Sequence, residues 1–360
     1  MFIDELAKIQ DRKFSDIHLH EGEPARWRTG AGEIETIDGL SPITKSDFES
    51  ILTQADQTSM EQGDAATAGE VLKKDQGQTD FASTINGVRY RVSMYWHSTR
   101  KLGIAMRKIE EHIPDLSTLG LPDRIYDIID RKAGLVLVTG ETNSGKSTTL
   151  AAIVKHLAQK KIHIVTIEDP VEYKHKSVEG GALITQREVG LTRDTQSFDG
   201  ALRSALREDP DVILVGEIRD SISAEIAMKA ADTGHLVLAS LHTRSAPRTV
   251  ERLRNMFPKE QENAVLQQFS DACIMVLCQA LLPSTDRTKR VLAYEIMTNN
   301  QAIANNIANN KINQILRDME DARKEGMTTL NKCLESLVMR GEITAETARH
   351  ASYLPKELKV

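Results

Sequence analysis

The chain has 360 residues, long for a single core, so one large domain with a smaller companion is the expected organisation. Its 46 Lys and Arg against 52 Asp and Glu leave a formal charge of −6, which gives no global attraction to nucleic acid or anionic lipid. Its 3 cysteines include no Cys-x-x-Cys pair, which argues against a zinc ribbon or a disulfide framework and for reduced thiols in the cytoplasm.

The opening stretch, MFIDELAKIQDRKFSDIHLH, carries acidic residues and lacks the apolar core of a signal peptide. Within residues 1–108, SDIHLHEG alternates as a half-buried strand does, and SPITKSDFESILTQ offers a Ser/Thr start followed by helical spacing of Ile51 and Leu52. TDFASTINGVRYRVSMYWH reads as a hairpin turned at Asn86-Gly87, and KLGIAMRKI as a further strand. These elements make a small α+β domain. Pro114, Gly120 and Pro122 then mark residues 109–122 as a linker. Over residues 123–298 short apolar runs (GLVLVTG, IHIVTIED, DVILVGE, HLVLASLHT) alternate with helical segments. Unbroken apolar strands imply burial on both faces, hence a predominantly parallel sheet covered by helices in an α/β core. The longest apolar region, ACIMVLCQALLP, falls short of the roughly 20 residues that cross a bilayer, so membrane contact is expected only through partners. Residues 299–360 read as helical, with Leu330, Leu334, Leu337 and Val338 on one face, a stop at Gly341 and a new start at Thr344.

Four strand ends carry chemistry. Residues 140–147, GETNSGKS, fit G-x-x-x-x-G-K-[ST] between a buried strand and an amphipathic helix. Gly140 and Gly145 let the backbone curl with its N–H groups inward around a phosphate. Glu141, Thr142, Asn143, Ser144 and Thr148 complete the nucleotide-binding segment, Lys146 is placed to neutralise the β- and γ-phosphates, and Ser147 to offer its hydroxyl to Mg²⁺. REDPDVILVGEIRD places Glu217 at a strand tip, with Gly216 where an aspartate is usual. IVTIEDPVEY crowds Glu168, Asp169 and Glu172 at a second tip, where a carboxylate can order or deprotonate a water. In TGHLVLASLHT, His235 opens a strand and His242 closes it. His242 is placed to sense a γ-phosphate, whereas a packing role and a ligand role are evenly matched for His235.

GETNSGKST, TIEDPVEY, ALRSALREDPDVILVGEIRD and TGHLVLASLHT, in this order, resemble the Walker A, acidic, Walker B and histidine boxes of the secretion-superfamily ATPases, the hexameric motors of type II secretion, type IV pili and type IV secretion. SDIHLHEGEPARWRTGAGEI resembles the opening of that family's N-terminal domain, and GMTTLNKCLESLVMRGEITAETARHAS the C-terminal helices of its pilus-retraction branch. The resemblance implies a RecA-like P-loop NTPase core with a small PAS-like N-terminal domain. It also implies ATP and Mg²⁺ as ligands, with Glu172 as the base for water, Glu168 as its support, Glu217 at the Walker B position and His242 at the γ-phosphate. Arg91 and Arg107, with Arg89 as a third candidate, match the N-terminal arginines that stabilise charge during phosphoryl transfer. The implied assembly is a homohexamer acting on an inner-membrane platform protein, with a related assembly ATPase as a further partner.

The absence of a long N-terminal extension and of a four-cysteine element points to the retraction-type branch. Two departures stand out. Glu141 and Asn143 replace Pro and Gly of GPTGSGKST, and AIANNIANNK (302–311) replaces the AIRNLIRE helix, with Ala304 and Ala308 in place of its arginines. The alternative reading is the ATPase of a type IVB secretion or conjugation system. A nucleic-acid motor is disfavoured by the acidic balance and by 4% aromatic residues, so no nucleic-acid partner is expected.

Overall fold

Period-two alternation builds the first of two units, which takes the chain as far as His112; the second is formed chiefly from Ile113 onward. The computed structural model describes Leu6 and residues 14–29, 33–53, 77–98, 100–109, 112–189 and 194–360.

Among the described residues the first unit holds six strands: β1 (Phe14–His20), β2 (Arg26–Thr29), β3 (Ile34–Thr36), β4 (Gln78–Ile85), β5 (Val88–His97) and β6 (Lys101–Lys108), in the order β3-β2-β1-β6-β5-β4. Neighbours pair antiparallel. The β4–β5 hairpin closes on Ile85↔Val88 with Asn86 and Gly87 at φ 50° and 79°, the left-handed pair that matches strand twist. One sheet face buries Ile17, Leu19, Tyr90, Val92, Met94 and Met106 with Phe48 and Ile51 of helix α1 (Lys45–Thr53). That helix begins where the Asp47 carboxylate takes both the N–H and the hydroxyl of Thr44, at 2.9 and 2.6 Å.

The second unit is a seven-stranded sheet. Its strands are β7 (Gly134–Thr139), β8 (His163–Glu168), β9 (Leu183–Glu188), β10 (Val212–Val215), β11 (Leu236–Leu241), β12 (Cys273–Pro283) and β13 (Arg290–Thr298), ordered β13-β12-β7-β11-β10-β8-β9. Pairings are parallel from β12 through β9, and β13 joins antiparallel to β12. β7, β10 and β11 are buried at every residue, because helices cover both faces. On one face α2 (Arg124–Ile129) and α3 (Lys146–Leu157) pack with Val136, Val138, Leu214 and Leu238. On the other, α4 (Phe198–Ala205), α5 (Ser221–Asp232), α6 (Ala246–Arg254) and α7 (Glu262–Ala272) pack with Leu137, Ile213 and Val237. Leaving any one of these strand residues exposed would forfeit roughly 2 kcal/mol of burial.

Three strands are not distinguished by the sequence pattern. LITQRE forms β9, ACIMVLCQALLP contributes β12 directly after α7, and β13 follows it. A continuous apolar run suits a buried helix as well as a buried strand, and only the neighbours decide. The segment carrying Pro114, Gly120 and Pro122, expected as a linker, is docked from Ile113 onward. Leu116 is buried with Ile125 and Ile153, and the Lys155 ammonium donates to the Ile113 carbonyl at 2.7 Å. The apolar leucines between its turn residues are what hold it down.

The C-terminal helices α8 (Gln301–Ala308), α9 (Ile315–Asp321), α10 (Leu330–Met339) and α11 (Ala345–Ala351) extend the core rather than forming a body of their own. Ile303, Ile307, Ile315 and Met319 join the cluster over β7, and Leu330, Leu334 and Leu337 pack on Val291 and Ala293 of β13. Gly341, at φ 69°, ends α10, and the Thr344 hydroxyl accepts the Thr347 N–H at 3.1 Å to start α11, as the sequence predicts. On α8, Asn306 is buried and its amide donates to Asp318. Among the described residues no helix is long and apolar enough to cross a membrane.

Candidate active site

The phosphate loop follows β7, at the carboxyl edge of the parallel strands where α/β sheets place ligands. Gly140 sits at φ 145°, and a Cβ there would lie 2.3 Å from the Gln279 carbonyl and 2.4 Å from Ser144 Oγ, so the position takes only glycine. Asn143 and Gly145 complete the curl at φ 65° and 90°. Asparagine tolerates this region better than other side chains do, which keeps the turn intact where the family pattern has glycine. Gln279 of β12, buried, donates from Nε2 to the Ser144 carbonyl at 3.0 Å and pins the loop from beneath. Helix α3 then starts at Lys146, with Ser147 and Thr148 half-buried in its first turn. The Thr148 and Tyr173 hydroxyls share a hydrogen bond of 2.9 Å, tying this turn to the acidic segment.

Lys146 Nζ donates to the carbonyls of Gly140 at 3.0 Å and Glu141 at 2.9 Å and lies 3.4 Å from His242 Nδ1. Burial holds its pKa below the usual lysine value, against the opposing pull of Glu217 and Glu172. Lys146 is buried and its ammonium rests on neutral acceptors, a state in which an anion is the better partner.

Glu217 follows β10 after Gly216. A Cβ at Gly216 would meet the Ile167 carbonyl at 3.2 Å and Glu168 Cα at 3.3 Å, so the ends of β8 and β10 leave little room for the aspartate usual there. Glu217 Oε2 accepts from Arg219 Nε at 2.8 Å, and Oε1 lies 3.5 Å from His242 Nε2. Arg219 Nη1 donates onward to Asp169 Oδ2 at 3.1 Å, and its guanidinium lies over the Phe198 ring. Asp169, Arg219, Glu217, His242 and Lys146 therefore form one chain of charged and polar contacts. Glu168 ends β8 and accepts from Thr166 Oγ1 at 2.7 Å and Gln186 Nε2 at 3.3 Å. Burial first, and then the neighbouring Glu172 charge, push its pKa up to about 7. Gln186 also donates to the Tyr173 carbonyl at 2.9 Å and accepts the His175 N–H at 2.7 Å, which fastens the segment bearing Glu172 to β9.

Glu168, Glu172, Glu217, His242, Lys146 and Ser147 thus gather in the second unit. His235 does not join them. It lies at the opposite end of β11, where its Nδ1 bonds the Ala230 carbonyl at 3.0 Å and closes the end of α5. Arg91 and Arg107 belong to the first unit, directly opposite each other on β5 and β6, on the face away from its apolar core. Arg107 Nε donates to Asp16 at 2.8 Å, and Arg89, two positions before Arg91, is buried. An open pocket of about 460 Å³ beside the phosphate loop is lined by Glu141, Thr142, His242, Thr243 and Arg244, with Arg244 paired to Glu141. Sequence reasoning misses Arg219, Arg244, Gln186 and Gln279. The two arginines each stand two residues after a residue it selects; the glutamines carry no local signal.

The family model described as type II/IV secretion system protein matches residues 73–351. The type IV pilus retraction ATPase PilT of Pseudomonas aeruginosa is 39% identical over 344 residues, covering 95% of this chain and 95% of its own. A solved pilus retraction motor, PilT with bound ADP, superposes with a TM-score of 0.84 at 39% identity, over 99% of this chain and 98% of that one. The Legionella pneumophila ATPase DotB, 24% identical, shares the fold with a TM-score of 0.76 over 97% of this chain and 93% of its own.

Proposed function

The chain belongs to the type II/IV secretion system protein family, and from that premise we propose that it is an ATP-hydrolysing motor that drives retraction of a type IV pilus. The observation that carries the chemistry is the chain of contacts from Lys146 through His242 to Glu217 at the carboxyl edge of the sheet. Lys146 exchanges the carbonyls of its own loop for the β- and γ-phosphate oxygens. Glu172 takes the proton of the attacking water, beside a Glu168 held in place by Thr166 and Gln186. Glu217 orients the reacting groups, and His242, between Glu217 and Lys146, contacts the γ-phosphate. Gly140 to Thr148 wrap the phosphates. Arg91 and Arg107, side by side, supply two further planar donors that stabilise charge on the transferring phosphoryl group.

Mg²⁺ fits this donor set. It keeps several waters and takes few protein ligands, so the Ser147 hydroxyl together with substrate oxygens suffices to hold it, and when bound it neutralises developing phosphate charge. Among the described residues no group of three or more His, Cys, Asp or Glu could hold a metal by itself. The working form is a homohexamer in the cytoplasm, held at the inner membrane by a platform protein and alternating there with a related assembly ATPase.

The loss of the arginines of α8 to Ala304 and Ala308 favours the second reading, a type IVB secretion or conjugation motor. The two are separated in the native host by replacing the gene with its Glu217→Gln form and imaging labelled pili. Pili that extend but no longer shorten are expected. Normal shortening with loss of secretion or transfer would decide for the second reading.

A further inference from the structure

We propose that Arg244 is a second loop-borne cation of the nucleotide site, held by Glu141 until the terminal phosphate of ATP takes it, so that the pair sets the preference for ATP over ADP. The inference rests on the ATPase reading above and adds a residue to it. The Glu141 carbonyl accepts from Lys146 Nζ at 2.9 Å, and His242, two residues before Arg244, lies 3.4 Å from that same nitrogen. The two segments therefore meet at the phosphate-binding lysine, and their side chains turn into the same pocket of about 460 Å³. There Arg244 and Glu141 pair with each other.

Two properties make this pair a latch rather than a brace. Its side chains are 69% and 60% exposed, so water screens the contact and little folding energy depends on it. Glu141 also puts a carboxylate on a loop built to wrap a polyanion, at the position where the family pattern GPTGSGKST has proline. Left alone it repels a triphosphate; paired, it stores beside the site a guanidinium whose planar fork matches phosphate oxygens. A γ-phosphate then competes with Glu141 for Arg244, and ADP, which lacks it, does not.

Competition and simple bracing give opposite signatures. If the ion pair only shapes the loop, neutralising either partner breaks the same contact and shifts affinity in the same direction. If the partners compete, Arg244→Gln weakens and Glu141→Gln strengthens binding of the triphosphate. The test is displacement of a fluorescent ADP analogue from the full-length chain at low salt by the non-hydrolysable AMP-PNP and by ADP. Arg244→Gln should raise the AMP-PNP dissociation constant about tenfold, the scale of one charge-assisted contact, and leave ADP within about twofold. Glu141→Gln should lower the AMP-PNP constant about threefold, a partial release of the same contact. Shifts of the same sign, or none beyond about twofold, overturn the proposal. A wild-type chain that binds neither nucleotide, or a Lys146→Ala chain that binds both normally, sinks instead the ATPase reading beneath it.

Discussion

Glu168 is the carboxyl at this site whose proton affinity the fold changes most clearly. Burial and the Glu172 charge raise its pKa from 4.5 to about 7. An acid whose folded pKa lies above its unfolded value binds more protons when folded. Its stabilising contribution is therefore complete below pH 4.5 and is lost as pH rises to about 7. Glu168→Gln, which cannot ionise, should exceed the wild type in stability by about 3 kcal/mol at pH 8 and by less than about 1 kcal/mol at pH 5, read from urea unfolding. An equal difference at both pH values would show that Glu168 is not held protonated. At this scale the phosphate loop is legible in the sequence, because the backbone itself dictates glycine at 140 and a left-handed-tolerant residue at 143. Gln279 and Gln186 are not legible, since each acts through a hydrogen bond to a segment far along the chain. Arg219 reaches Asp169 in the same way.

Between elements the main joint is Glu295 on β13. Fully buried, it accepts the Ala246 N–H at 2.7 Å, the Leu330 N–H at 3.2 Å and the Tyr353 hydroxyl. It thus holds the first residues of α6 and α10 and the chain beyond α11 to one strand. Glu295→Ala leaves three donors without an acceptor and should cost about 3 kcal/mol, seen as a lowered urea midpoint. A midpoint unchanged within error would mean that packing alone fixes the C-terminal helices. Parallel strands such as β7, β10 and β11 announce themselves by short apolar runs followed by glycine or a polar residue. β12 does not, because its apolar run follows α7 without a turn and carries no period that separates strand from helix. In the docked stretch after Ile113 proline and glycine mark the turns, and the leucines that hold it, Leu116, Leu119 and Leu121, are too few to make a periodic run.

On the scale of the whole chain, four boxes spread along the sequence become neighbours in space, in an order that differs from their order in the chain. β7, β11, β10 and β8 lie side by side, so Lys146, His242, Glu217 and Glu168 follow one another along a single sheet edge. That adjacency is what four motifs more than 90 residues apart at their extremes (Lys146 to His242) require to act on one phosphate. The direct test of the account is phosphate release from ATP and Mg²⁺, assayed across a size-exclusion profile of the purified chain and its Glu217→Gln form. Turnover should travel with a peak of six 40.0 kDa chains and fall in the variant by about a hundredfold or more, as for a lost transition-state contact. Turnover in a monomer peak, or a Glu217→Gln rate equal to the wild type, would contradict it.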